Sequence, residues 1–198
     1  MALAYIAAVE DDTALDPLQQ DVFEAARRRF NFVPDVVRAL ALRPEVARAQ
    51  SDLRDSLLTD ALSIGRRRAE LISLAVSGVN GCTYCGTAHA GTMVARGDLT
   101  PEQAAQVFKD WRKLELTDED RVMLEFAEKL TFQPAGIEQA DIDTLREAGF
   151  DDLGIYDIVL VTAYRNFINR VNDGLGVSTD KLRTRFGDEL AARIASEA

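Results

Sequence analysis

The sequence has few of the side chains that build metal sites and disulfide scaffolds. Its 198 residues include one histidine and two cysteines, and all three lie between residues 82 and 89. Two cysteines are too few for a disulfide-rich scaffold. Structural zinc sites usually combine two ligand pairs that are separated in sequence, and this chain has no second pair. The three residues are therefore candidates for chemistry, with zinc binding the less favoured alternative.

Long apolar runs and an excess of positive charge are also missing. The longest apolar stretches, LISLAVSGV and IYDIVLVTAY, fall short of the roughly 20 residues that a membrane helix needs. Lys and Arg number 23 against 33 Asp and Glu, and the net charge of −10 opposes attraction to nucleic acid or anionic lipid. The start, MALAYIAAVEDD, lacks the basic region of a secretory signal. We expect a cytoplasmic protein that binds neither nucleic acid nor membrane, and small neutral substrates remain possible.

The apolar pattern predicts an all-α protein. Apolar residues recur at helical spacing, and no segment alternates with a period of two. Helix starts are predicted at Asp16-Pro17, Pro34, Pro44, Thr100-Pro101 and Thr117. A long apolar helix is expected between the Asp pair at 151–152 and the glycines at 174 and 176, followed by one amphipathic C-terminal helix over residues 179–198.

The cysteines and the histidine are predicted to share one helical face. Gly81 should end the apolar helix LISLAVSGV, and Cys82 should begin another that lasts until Gly97. Residues three and four apart lie on the same side of a helix, so Cys82, Cys85 and His89 form one stripe. Both thiols would lie in or near the first turn, where free N–H groups and the helix dipole favour the reactive thiolate.

Glu70 is predicted to face His89 from the preceding helix. If the two helices fold back about Asn80-Gly81, Glu70 lies ten residues before the turn and His89 about eight after it. At 1.5 Å per residue the mismatch along the axis is only about 3 Å. A carboxylate at one imidazole nitrogen would orient the ring and raise its basicity, which suits a general base for a neighbouring thiol.

The residues alone leave three interpretations of this cluster open. Buried cysteines often act only as small apolar side chains, and Cys-x-x-Cys by itself is a weak motif. Two thiolates, an imidazole and a carboxylate could also bind zinc. A catalytic site is favoured over packing and over zinc binding for two reasons. The single histidine is at helical register with the thiols, and a well-placed acid heads the preceding apolar helix.

Other polar and aromatic groups are predicted to have structural roles. Arg66 to Arg68 are interpreted as a solvated helix start. Polar residues on the late apolar helix are expected to serve packing or an oligomer contact more than a pocket: Tyr164, Arg165, Asn166, Asn169 and Asn172. Four aromatic residues are assigned to the core or to subunit contacts: Phe108, Trp111, Phe126 and Phe132.

The spacing of Glu70, Cys82, Cys85 and His89 resembles the alkylhydroperoxidase D-like branch of the carboxymuconolactone decarboxylase superfamily. The surrounding residues match along the hairpin, AELISLAVSGVNGCTYCGTAHAGTMVARG. The flanking segments VPDVVRALALRPEV and FINRVNDGLGV resemble the peroxidase-related subgroup of that branch. The likeness covers about residues 30–178, which we take as the core of a single domain over residues 1–198, with the C-terminal helix at 179–198.

This resemblance implies a thiol-dependent peroxidase. Cys85 would be oxidised by the peroxide, Cys82 would close a disulfide with it, and His89 and Glu70 would relay protons. It also implies a trimer or hexamer and recycling by an external dithiol or thiol protein. One position departs from the family pattern, because Tyr84 stands where the founding peroxidase has a second histidine.

Rival functions follow from the same residues. A non-catalytic redox sensor or an oligomeric scaffold would use the dithiol without turnover. Lactone decarboxylases of the superfamily use acid and base groups, and the dithiol of this chain argues against that lyase chemistry. No glycine-rich phosphate loop or flavin motif is visible, so no cofactor is expected.

Overall fold

The computed structural model describes residues 4–10 and 14–196, and these residues form an all-α structure without a strand. This confirms the predicted fold class. Eleven α-helices are present in the described part, and two 3-10 turns, Trp111–Lys113 and Pro134–Gly136, follow α6 and α7. The helices are α1 Pro17–Phe30, α2 Asp35–Leu40, α3 Pro44–Leu57, α4 Gly65–Val79, α5 Thr83–Arg96, α6 Pro101–Asp110, α7 Asp118–Phe132, α8 Gln139–Glu147, α9 Asp152–Leu175, α10 Asp180–Phe186 and α11 Asp188–Ala195.

Side-chain caps fix four of the predicted helix starts, whereas α2 and α3 begin without a side-chain cap. The Asp16 carboxylate accepts hydrogen bonds from two backbone N–H groups at the start of α1, and Pro17 occupies the first helical position. Thr100, Thr117 and Asp151 cap α6, α7 and α9 in the same way. These caps satisfy N–H groups that have no partner within their own helix.

Helix α4 is the central element. Leu71, Ile72 and Leu74 have no solvent exposure, and α4 packs against α5, α6, α7 and α9. The turn after α4 is closed by Gly81 at a φ of 70°, and the Cys82 N–H donates to the Ser77 carbonyl at 2.9 Å. The predicted antiparallel hairpin of α4 and α5 is therefore present.

The C-terminal region differs from the prediction of one helix over residues 179–198. The structure has two helices, α10 and α11, which are separated by Gly187 at a φ of 95°. This conformation ends α10 and lets α11 pack on α5 and α6 while α10 packs on α5. Residues 197 and 198 lie outside the described part of the chain.

The aromatic assignments hold for three of the four residues. Phe108, Trp111 and Phe126 are buried, and the Trp111 Nε1 donates to Glu128 Oε2 at 2.8 Å. Phe132, in contrast, is 63% exposed near the end of α7, so it is not a core residue of this chain. A role in subunit contact stays a prediction.

Within the described residues, no helix combines the length and the apolar character needed to cross a bilayer.

The close approach of α4 and α6 generates a stability prediction. A Cβ built on Gly78 would lie 1.9 Å from the backbone oxygen of Phe108, whereas a Cβ on Gly174 in α9 would meet no atom within 4 Å. Gly78→Ala must push the two helices apart and should lower the free energy of unfolding by about 1–3 kcal/mol. Gly174→Ala should leave it unchanged or raise it by up to about 1 kcal/mol, because alanine is the better helix former.

Urea denaturation of the two variants and the parent protein checks this. A Gly78→Ala protein as stable as Gly174→Ala would contradict the close contact between α4 and α6.

Candidate active site

A cavity of about 480 Å³ opens between α4, α5 and α9 on one side and the N-terminal helices and α10 on the other. Glu70, Cys85 and His89 line its wall, and Cys82 does not. Of the four residues that the sequence singles out, three therefore face one space. Cys82 has no solvent exposure and lies behind Cys85.

Glu70 and His89 are in direct contact across the hairpin. The His89 Nδ1 lies 2.6 Å from the Glu70 Oε2, and Arg66 donates to the other carboxylate oxygen at 3.3 Å. Glu70 is only 1% exposed, so its charge depends on these two partners. The contact that the helical register predicts between Glu70 and His89 is present.

The environment of this pair favours an ionised carboxylate and a neutral imidazole. Burial opposes ionisation of Glu70, but the hydrogen bond from His89 and the charges of Arg66 and Arg165 outweigh it and lower the pKa of Glu70. Burial and the charge of Arg165 lower the pKa of His89. The hydrogen on Nδ1 is then directed at the carboxylate, and Nε2 is left as the proton acceptor.

Cys85 has the more acidic thiol of the pair. Burial opposes its thiolate, but a hydrogen bond from Cys82, the charge of Arg165 and a hydrogen bond from Asn172 lower the pKa of Cys85 to about 6. The Asn172 Nδ2 lies 3.0 Å from the Cys85 sulfur. Cys85 also occupies the third position of α5, where backbone N–H groups lack helical partners. At neutral pH this thiol is mainly ionised.

Cys82 is the weaker acid, contrary to the expectation that the helix terminus favours both thiolates. Its hydrogen bond to Cys85 and its burial raise the pKa of Cys82 above the usual range. The Cys82 S–H also lies 3.9 Å from the carbonyl oxygen of Asn169. Both cysteines are free thiols in this structure, which is the reduced form of the pair.

Helix α9 contributes site residues that the sequence analysis assigned to packing. Tyr164, Arg165 and Asn172 line the cavity. Arg165 is 4% exposed, and its Nη2 donates to the Ser73 hydroxyl at 3.4 Å. The signal for these roles was available, because Arg165, Asn169 and Asn172 recur at helical spacing on one face of an apolar helix. Asn166 and Asn169 do serve packing, because both accept hydrogen bonds from Asn80.

The basic residues at the start of α4 are not simply solvated. Arg67 and Arg68 each lie 2.7 Å from the buried carboxylate of Asp120 on α7. Arg66 contacts Glu70 and lines the cavity. The interpretation of Arg66 to Arg68 as a solvated helix start was therefore wrong for the charged ends of these side chains.

Tyr84 supplies a neutral phenol to the cavity. It is buried, its hydroxyl accepts a hydrogen bond from the Val36 N–H at 3.4 Å, and burial raises its pKa above the usual range. Tyr84 therefore cannot act as a base near neutral pH, and His89 is the titrating imidazole of the site. Among the described residues, no three His, Cys, Asp or Glu side chains are grouped so that they could hold a metal ion.

Comparisons with known proteins agree with this architecture. Residues 44–129 match the model of the carboxymuconolactone decarboxylase family. A peroxidase-related protein from Silicibacter sp. TM1040 is 32% identical, with a TM-score of 0.77 over 86% of this chain and 91% of that one. A second, from Ralstonia eutropha JMP134, described as an alkylhydroperoxidase AhpD core, is 27% identical, with a TM-score of 0.82 over 100% of both chains.

The same fold occurs in a protein with a different named activity. The debrominase Bmp8, solved in complex with 2,3,4-tribromopyrrole, is 20% identical, with a TM-score of 0.71 over 91% of this chain and 97% of that one. At this identity the likeness concerns the fold alone. The family model and the two peroxidase-related structures show that the chain belongs to the alkylhydroperoxidase D-like, peroxidase-related branch of the carboxymuconolactone decarboxylase superfamily.

Proposed function

We propose that this protein reduces hydroperoxides with the Cys85 and Cys82 thiols. The observation that supports this most directly is the position of Cys85. Its sulfur lines a cavity of about 480 Å³, accepts a hydrogen bond from Asn172 at 3.0 Å and has a pKa lowered to about 6. A buried thiol that is ionised at neutral pH and open to a cavity is suited to nucleophilic attack.

In the first step, the Cys85 thiolate attacks the terminal oxygen of the hydroperoxide. An S–O bond forms, the O–O bond breaks, and the remaining oxygen leaves as an alkoxide that must gain a proton. Cys85 becomes a sulfenic acid. An organic hydroperoxide is reduced to an alcohol in this step, and hydrogen peroxide is reduced to water.

The Glu70–His89 pair supplies the proton in this proposal. Because the thiolate and the neutral imidazole are favoured in the resting site, His89 Nε2 takes up a proton from solvent and delivers it to the departing alkoxide. Glu70 holds Nδ1 at 2.6 Å, which fixes the ring and stabilises the imidazolium that forms in between. Glu70 therefore acts through His89 and is a positioning residue.

Cys82 then resolves the sulfenic acid. The Cys82 sulfur attacks the Cys85 sulfur, a disulfide forms, and the sulfenic oxygen leaves as water. The positions of the two cysteines support this step, because Cys82 is the N-cap of α5 and Cys85 lies in the first turn of the same helix. An external dithiol or thiol protein must reduce the disulfide in two exchange steps, and its own thiols are oxidised in return.

Rival functions predict different experimental outcomes. A redox sensor would oxidise once per chain without steady turnover, and zinc binding would give about one metal ion per chain in metal analysis. Self-association into a trimer or hexamer stays a prediction, supported by large exposed apolar side chains on α7 and α9: Phe132, Leu153, Tyr156 and Phe167.

Substitution of each cysteine should separate their roles. Cys85→Ser removes the attacking sulfur and should abolish peroxide consumption. Without added thiol, Cys82→Ser should allow one oxidation per chain and stop at the Cys85 sulfenic acid, because no second protein thiol can close the disulfide. Stopped-flow measurement of peroxide loss, with mass spectrometry of the oxidised chain, checks both. Full turnover in Cys85→Ser, with the expected fold retained, would remove this mechanism.

The pKa of Cys85 makes a second prediction. In the Cys82→Ser protein, the rate of alkylation by iodoacetamide should rise with pH around an apparent pKa below that of a free cysteine, because Arg165 and Asn172 still favour the thiolate and only the thiolate reacts. Asn172→Leu removes the donor to the thiolate and should raise that pKa by about one unit or more. Asn166→Leu, a change on the same helix away from Cys85, is the matched control.

An alkylation profile centred near 8.5, the usual pKa of a free cysteine, would show that these contacts do not stabilise the thiolate.

The role of Glu70 makes a third prediction. Glu70→Gln keeps the size of the side chain but removes the charge that holds His89, so kcat for peroxide reduction should fall by about 100-fold. Alkylation of Cys85 should change much less, because that reaction needs no proton for a leaving alkoxide. Glu125→Gln, on the exposed face of α7, is the control. Equal losses in both assays would assign Glu70 a structural role.

A further inference from the structure

The cavity is larger than the smallest peroxides require. Its volume of about 480 Å³ is in the range of sites for drug-sized ligands, whereas a water molecule in the liquid occupies about 30 Å³. Apolar side chains form much of its wall away from the thiol, among them Phe32, Leu182 and Phe186. This shape and lining fit an organic hydroperoxide with an apolar body.

The cavity is also strongly positive, although the chain has a net charge of −10. Six arginines line it, and Glu70 is the single acidic residue in the lining. Arg29 and Arg54 share one carboxylate, that of Asp55, at 2.7 Å each. Arg66 pairs with Glu70 and Arg96 with Asp98. The lining arginines therefore outnumber their acidic partners.

Two of the six arginines, Arg165 and Arg185, have no carboxylate within 4.0 Å in the part of the chain that the structure describes. Arg165 is nine-tenths buried or more, and its Nε lacks a hydrogen-bond partner. The Cys85 thiolate balances the charge of Arg165 while that thiol is ionised. Nothing in the described chain balances Arg185, which therefore remains available to a ligand.

Arg185 lines the cavity from α10 and is itself exposed to solvent. Its guanidinium lies 5.8 Å from the centre of the Phe32 ring and 5.7 Å from that of Phe186. An ion pair between Lys181 and the buried Asp35, at 3.2 Å, holds α10 against α2. The guanidinium thus lies near two aromatic rings, a setting that favours a carboxylate attached to an apolar group.

We infer that the substrate is an amphipathic hydroperoxide with a carboxylate: its peroxide end reaches Cys85, its apolar body contacts Phe32 and Phe186, and its carboxylate pairs with Arg185. This inference rests on the proposed peroxidase function and adds the class of substrate to it. It also goes beyond the small neutral substrates that the composition leaves possible, because the charge of the cavity is opposite in sign to the net charge of the chain.

Two matched hydroperoxides test the substrate class. Cumene hydroperoxide and its para-carboxy derivative differ only in the anionic group. The protein should prefer the carboxylated peroxide at least tenfold in kcat/KM. Arg185→Gln should remove most of that preference. Arg183→Gln should keep it, because Arg183 lies on the same helix, pairs with Asp188 and does not line the cavity.

A binding experiment separates this inference from the proposed function. Para-isopropylbenzoate cannot react with a thiol, and by calorimetry it should bind the reduced protein at least tenfold more tightly than para-isopropylbenzyl alcohol. Tighter binding of para-isopropylbenzoate without turnover of either peroxide would support the anion site and reject the peroxidase function. Equal affinities, equal kcat/KM values for the two peroxides, or equal losses in Arg183→Gln and Arg185→Gln would overturn the inference.

Discussion

The site depends on one buried carboxylate. Glu70 is enclosed by α4, α5 and α9, where an unpaired charge would be strongly destabilising. His89 at 2.6 Å and Arg66 at 3.3 Å satisfy it. Because Glu70 is on α4 and His89 on α5, this pairing also fixes the register of the hairpin, and the register sets the place of both cysteines relative to the cavity. The same contact thus stabilises the hairpin and orients the imidazole.

The two cysteines are chemically similar in sequence and different in the structure. Only Cys85 faces the cavity, receives the Asn172 hydrogen bond and is close enough to Arg165 for that charge to favour its thiolate. Cys82 lies behind it as the N-cap of α5 and donates toward its partner. The spacing of three positions between the cysteines therefore places the Cys85 thiol where a substrate can reach it. The Cys82 thiol stays protonated until a sulfenic acid forms nearby.

Local rules of helix geometry were sufficient for the fold class, the helix starts and the Glu70–His89 contact. Each of these depends on caps, on apolar spacing or on the fixed rise of two helices joined by a short turn. Arg165 and Asn172 could not be placed in the same way, because α9 lies far along the chain from α5 and its rotation against the hairpin is decided by packing. The break at Gly187 was missed since a lone glycine in an amphipathic stretch is compatible with one helix or two.

The charge of the cavity illustrates the limit of arguments from whole-chain composition. A net charge of −10 describes the outer surface, where carboxylates are solvated and screened. The cavity is formed where six helices, α1, α3, α4, α5, α9 and α10, each contribute an arginine, and the acidic partners of these arginines mostly lie outside its wall. Guanidinium groups in such a space are poorly screened, so they act on a ligand and on the Cys85 thiolate more strongly than the distant acids do. The composition therefore limits which large polyanions the surface can attract, while the ligand is selected by the few charges that face the thiol.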